Sequence, residues 1–238
     1  MTSCSLTLSH YREMLQHALE AGYRFKAFHE PYNPSQRVIF LRHDIDIALE
    51  EALDMATVEE ELGVQSTYFL LINSPVYNLL APDALKMVEA LHSKGHWIGL
   101  HVDLNLLALS DSTSIEGEIA KLIAFYQRWI PLSPVISFHR PPKEVLGLKF
   151  QSIVNTYAPP FFGEMRYVSD SRGVWREGCP CRDLRSVKYQ ALQILVHPVW
   201  WLGNDESLVD RANNLMQDRF HKIKKYLVEN VEPFGKLL

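Results

Sequence analysis

Short apolar runs alternate with longer stretches whose apolar residues recur every three or four positions, along most of the chain. The first kind predicts buried strands and the second predicts amphipathic helices. Leu8 to Ala21 has helical spacing (Leu8, Tyr11, Leu15, Ala18, Leu19) and stops at Gly22. Tyr23 to Phe28 alternates aromatic and basic residues, the pattern of a short exposed strand. Val38 to Leu41 is a buried-strand run, followed by a helix from about Ile47 to Leu62 that ends at Gly63. Residues 66–72, 96–102, 134–139, 167–170 and 191–196 read as further strands, and Pro82 to Lys94 and Ser114 to Trp129 as helices. Pro82 suits a first helical turn, where a missing N–H costs nothing, and Gly95 follows the end of its helix. Asp205 to Val228 closes the chain as a long helix.

Strands separated by helices predict βα units and a mostly parallel sheet, hence an α/β fold. At 238 residues with 47% apolar content, the chain is expected to form one domain over 1–238, its core at about 36–203. Several predicted strands end in a chemically capable residue: Asp44 and Asp46, His101, His139 with Arg140, Asp170, and His197. In barrel folds the carboxyl ends of strands are where catalytic groups collect.

The net charge of −4 argues against the concentrated basic face that nucleic acid requires, so no nucleic-acid partner is expected. His221-Lys222-Ile223-Lys224-Lys225 reads as a solvated helix face. No run is apolar enough to cross a bilayer, and the first ten residues lack a charged segment followed by an apolar one. A cytoplasmic location is the expectation. Three cysteines imply no disulfide framework. Cys179-Pro180-Cys181 is too tightly spaced for an ordinary zinc knuckle and has no second cysteine pair, so it reads as a plain loop.

The densest chemistry lies in Arg42-His43-Asp44-Ile45-Asp46. Alternate residues of an extended chain point to one side, so Asp44 and Asp46 present two carboxylates together. Such a pair repels unless a cation or shared proton relieves it, and one member can then hold a metal while the other accepts a proton.

Four segments, in order, resemble the motifs of the polysaccharide deacetylase superfamily, the carbohydrate esterase family 4-like group with a NodB-type domain. They are Arg42-His43-Asp44-Ile45-Asp46, Gly95-His96-Trp97-Ile98-Gly99-Leu100-His101, Phe138-His139-Arg140-Pro141-Pro142 and Leu195-Val196-His197-Pro198. The particular variant, with Ser169-Asp170-Ser171 and His197-Pro198-Val199-Trp200-Trp201, is similar to an O-antigen-associated branch. The resemblance implies a distorted (β/α) barrel and a divalent metal, zinc by expectation. It implies hydrolysis of an acyl group, N-acetyl above all, from an amino sugar. Carried over, Asp44 is the general base, Asp46 and His101 are metal ligands, Arg140 orients Asp44, and His197 is the general acid.

The chain departs from the family in its second motif, where two histidines four residues apart are usual. Here Asn105 stands in the second position. Either His139 completes the site, or Asp103 or Asn105 gives an oxygen ligand, or the metal is weakly held or absent. His139 is preferred, because one carboxylate and two imidazoles with open positions suit a hydrolytic metal. His43 reads as a group behind the site that could also ligate; Asp170 reads as a group that steers His197 or binds a sugar hydroxyl, and Arg42, Trp175, Trp200 and Trp201 are candidates for contact with the sugar. The remaining histidines, His10 among them, read as structural.

The expected partner is an acylated amino sugar, a nucleotide sugar or a lipid-linked glycan. Two other classes stay open. One is a sugar-binding relative without activity, which Asn105 makes credible. The other is a glycosyltransferase that uses Asp-x-Asp to hold a metal, which leaves His101, His139 and His197 without roles.

Overall fold

The computed structural model describes residues 4–107, 112–201 and 206–235. Contacts divide the chain into two compact units, Met1–Leu202 and Gly203–Leu238. Among the described residues the first holds eight strands: β1 (Arg24–Phe25), β2 (Val38–Ile45), β3 (Thr67–Leu71), β4 (Trp97–Asp103), β5 (Leu132–His139), β6 (Val154–Asn155), β7 (Arg166–Ser169) and β8 (Ala191–Val196). Its helices are α1 (Leu8–Glu20), α2 (Glu50–Leu62), α3 (Pro82–Ser93), α4 (Ser112–Tyr126) and α5 (Cys181–Arg185).

Every described pairing is parallel, in the order β6-β5-β4-β3-β2-β8-β7, with β1 beside the start of β2. The fold is therefore α/β, as the alternation predicts. The ladder is open between β6 and β7, yet the sheet curls into a partial barrel. In a flat sheet β2 and β6 would lie about 19 Å apart. Instead Arg42 on β2 hydrogen-bonds to Thr156 Oγ1 at 2.9 Å and Tyr157 Oη at 3.0 Å, just beyond β6. Gln193 on β8 reaches across as well, donating to the carbonyls of Thr156 (3.0 Å) and Phe161 (2.9 Å).

The two-residue period of the strands sorts the side chains. On β2, Ile39 and Leu41 join the outer core with Tyr11, Met14 and Leu15 of α1, and Ile45 packs among residues of α2, α3 and α4. Val38 and Phe40 face inward and form the barrel floor with Phe28, Phe69, Val135, Phe161 and Met165. Above that floor the inward positions turn polar. Gly99 on β4 allows the close approach of strands there: a Cβ would lie 2.6 Å from the Phe69 ring and 2.9 Å from Val135.

Tyr23 to Phe28 is not an exposed strand. Only Arg24–Phe25 pairs, and Tyr23, Ala27 and Phe28 are buried, because Phe28 belongs to the barrel floor. Strand β2 also runs four residues past the apolar stretch, through Arg42 and Asp44, since those side chains find partners inside the barrel.

Among its described residues the second unit holds α6 (Leu208–Asn230) and α7 (Glu232–Gly235). Ser207 caps α6 through its hydroxyl, which accepts from the Asp210 N–H. The predicted start, Asp205, lies outside the described residues. Among the described residues no helix is long and apolar enough to cross a membrane.

Candidate metal centre and catalytic groups

Strands β2, β4, β5 and β8 deliver their carboxyl-end side chains to one point. Adjacent β4 and β5 pair His101 with Ser137 and Asp103 with His139. This register brings His101 Nε2 and His139 Nδ1 to 3.2 Å. Asp46 Oδ1 lies 3.2 Å from the first and 3.3 Å from the second. That oxygen is buried and receives no well-formed hydrogen bond. Burial alone would favour its protonated form, yet His101 and His139 hold the Asp46 carboxyl far below the usual carboxylate range.

Three ligand atoms converging on a small volume, one of them an orphaned buried oxygen, fit a divalent cation. The tautomer of His101 fits too. Its Nδ1 faces Ser137, 2.9 Å from the hydroxyl and 3.2 Å from the carbonyl, so a proton on Nδ1 leaves the Nε2 lone pair aimed at Asp46.

Asp44 sits beside this group, 3% exposed. Arg42 donates to it through Nε (2.8 Å) and Nη2 (2.7 Å), a two-point grip. Ser137 Oγ adds contacts of 3.3 Å to both carboxylate oxygens. Burial works against the charge, but the Arg42 guanidinium holds the Asp44 carboxyl below its ordinary value. Asp44 Oδ2 lies 3.6 Å from His101 Nε2.

His197 stands on the other side, its Nε2 3.9 Å from Asp46 Oδ2. Asp170 fixes it through Nδ1 (2.6 Å) and through the backbone N–H (3.1 and 2.9 Å). Burial disfavours an imidazolium, but the Asp170 carboxylate outweighs it and pushes His197 up to about 9.

Several expected roles change. The arginine that grips Asp44 is Arg42, and Arg140 is exposed, with its backbone at φ 47° just past the end of β5. Arg42 is fully buried, so it supports Asp44 instead of touching a sugar. Trp201 is equally buried and donates from Nε1 to Asp170 at 2.6 Å; Asp170 spends its oxygens on His197 and Trp201. Trp175 packs edge-on against Trp201, and Trp200 is half-buried among the outer-core residues.

Asp103 and Asn105 pair with each other. Asp103 Oδ1 accepts from the Asn105 N–H and side-chain amide, both at 2.9 Å, and neither joins the convergent group. His43 points to the opposite face of β2, where its Nε2 lies 2.6 Å from Glu59 of α2.

Ser137, Thr156, Tyr157, Gln193 and Glu59 were not singled out from the sequence. Two of these had a signal. Ser137 shares the inward face with His139 by two-residue spacing, and Glu59 falls on the buried stripe of Ala52, Met55 and Ala56.

No protein-family model matches the chain, and no curated protein matches it. Solved structures do. The chain is similar to a CE4 family pseudoenzyme from Bacillus anthracis: 13% identity over 80% of this chain and 63% of that one, TM-score 0.47. It is similar to the Bc1960 peptidoglycan N-acetylglucosamine deacetylase, with 18% identity over 87% of this chain and 91% of that one, TM-score 0.44. It is also similar to the chitin deacetylase of the fungal pathogen Colletotrichum lindemuthianum, with 13% identity, coverages of 82% and 88%, and TM-score 0.39. The chain thus spans less than two-thirds of the pseudoenzyme's length. At these similarities the neighbours carry no argument about the chemistry, which rests on the residues themselves.

Proposed function

We propose that this protein is a metal-dependent hydrolase of the polysaccharide deacetylase type, which cleaves the C–N bond of an acylated amino sugar. The observation that carries this reading is the convergence of Asp46 Oδ1, His101 Nε2 and His139 Nδ1 between a buried ionised carboxylate and an imidazole. A divalent cation held by these three residues, zinc by the chemistry of the donors, would polarise the amide carbonyl and activate water.

The chain's own residues supply the proton transfers. Asp44, kept ionised by Arg42, accepts a proton from the attacking water. His197, with Nδ1 engaged by Asp170, carries its transferable proton on Nε2 toward the site and gives it to the departing nitrogen. The products are a carboxylate and a free amine. His101, His139 and His197 all have roles in this scheme, which the transferase reading does not provide.

The test is metal content of the purified protein together with acyl release from free, nucleotide-linked and lipid-linked N-acyl amino sugars. Expected results are one tightly held cation at the Asp/His site and acetate release. Loss of both in Asp46→Ala and His101→Ala would support the assignment. Metal and sugar binding without acyl release by the wild type would replace hydrolysis with a sugar-binding role.

A second expectation concerns pH. The acid must hold its proton, so kcat/KM should fall on the alkaline side as His197 titrates. Asp170→Asn removes the negative charge that raises this group, so the alkaline limb should move to lower pH. A limb that stays in place would remove His197 from the role of acid.

A further inference from the structure

All three cysteines of the chain, two of them 175 or more residues from the first, come together far from the Asp/His centre in sequence. They meet around His10, in the first turn of α1. His10 Nε2 lies 3.3 Å from Cys179 Sγ and 3.7 Å from Cys181 Sγ. The ligand atoms of Cys4, His10 and Cys179 all lie within 4.8 Å of one another. The other ring nitrogen of His10 faces the Glu13 carboxylate at 3.5 Å. A carboxylate behind a histidine fixes the ring and its tautomer, as it does for metal-bound imidazoles.

We propose that Cys4, His10, Cys179 and Cys181 form a second, structural metal site for a soft transition cation of the zinc class. Three thiolates and one imidazole are a complete tetrahedral donor set that leaves no position for substrate. The close Cys-x-Cys spacing, which alone reads as a loop, gains its meaning from Cys4 and His10, which a sequence window cannot bring to it. A disulfide would use two sulfurs and leave the third, and the oriented imidazole, without a function. The hydrogen bond with Cys179 holds the Cys181 thiol below its ordinary value. Burial and the nearby Cys179 push Cys4 up to about 11, and the Cys181 hydrogen bond with burial pushes Cys179 up to about 12. Cysteine binds such a cation as thiolate, so metal binding would release protons and strengthen with pH.

The site would tie the segment before α1 to the loop that leads into α5. It also borders the catalytic groups. The His10 ring lies parallel to Trp201, centroids 6.2 Å apart, and Trp201 donates to the Asp170 that holds His197. The cross-link would thus brace the wall that positions the acid.

Cobalt substitution of the full chain, kept in reductant, tests this independently of the hydrolase reading. Only thiolate ligands give an intense sulfur-to-cobalt charge-transfer band in the near ultraviolet, so the Asp/His centre cannot produce it. The band should appear in the wild type and persist in Asp46→Ala. It should vanish in the Cys179→Ser, Cys181→Ser double variant, with loss of one metal equivalent per chain and a lower Tm. Cys4→Ser, at an exposed position, provides a milder variant if the double variant fails to fold, and it should weaken the band and the cobalt affinity. Cobalt-loaded wild type without the band, or three thiols that react freely with a thiol reagent in the presence of zinc, would overturn the site. So would a disulfide that survives the reductant.

Discussion

Asp44→Asn is expected to lower turnover by about 10²–10⁴-fold, the range for removing a positioned acid or base. The side chain keeps its shape, but it loses the charge that, in the proposed function, accepts the water's proton. The same substitution is expected to destabilise the fold. Arg42 is fully buried, and its two-point grip on Asp44 is its main compensation for leaving water. Removing one partner of a buried pair leaves an uncompensated charge and costs about 3–5 kcal/mol. Thr156, Tyr157 and Gln193 still accept from or contact the guanidinium, which places the cost toward the lower end of that range. Steady-state kinetics and chemical denaturation of the same variant separate the two effects. Arg42→Lys shares the second effect and keeps the base, so it should retain more turnover than Asp44→Asn. If Asp44→Asn retained full turnover while folded, Asp44 would not be the base.

The second large effect is expected at Glu59, far from the chemistry. This carboxylate is fully buried on α2 and receives His43 Nε2 (2.6 Å), Ser66 Oγ (2.7 Å), Tyr68 Oη (2.9 Å) and the hydroxyl of Tyr11. It therefore fastens α1 and α2 to the outer face of β2 and β3. Glu59→Ala should cost about 3–5 kcal/mol, because it strands His43 and two buried phenols at once. Glu59 also governs acid stability. Burial opposes its charge, yet the His43 ring and the hydroxyl donors hold it at about 2, below its ordinary value of 4.5. Its folded pKa is depressed, so the stability it contributes is present above about 4.5 and is lost as pH falls toward about 2. Denaturation midpoints should decline across that window in the wild type and more weakly in Glu59→Gln. A Glu59→Gln variant with wild-type stability at neutral pH would show that the network holds without the charge.

These two sites differ in how far a sequence reader could foresee them. Asp44 stands out because an apolar run ends in Asp-x-Asp, and the two-residue strand period makes the pair face one way. The same period places Arg42 on that face, beside Asp44, whereas the resemblance points to Arg140. Glu59 is one of three consecutive glutamates, and charged residues in such a run usually face water. Only its position on the stripe of Ala52, Met55 and Ala56 distinguishes it from Glu60 and Glu61.

Local patterning along the chain is enough to give the alternation of strands and helices, the parallel sheet, and the residues at strand ends. These are local properties, written in the two-residue and 3.6-residue periods of apolar side chains. Which of those residues meet depends on long-range packing. His139 approaches His101 because β5 pairs with β4 in one register, and Arg42 reaches Thr156 because the sheet curls. Cys4 and His10 meet Cys179 and Cys181 because α1 and α5 pack together on the outer face of the barrel. Such contacts depend on strand order, register and curvature, which are set by the packing of the whole core and leave no mark in any short window of the chain.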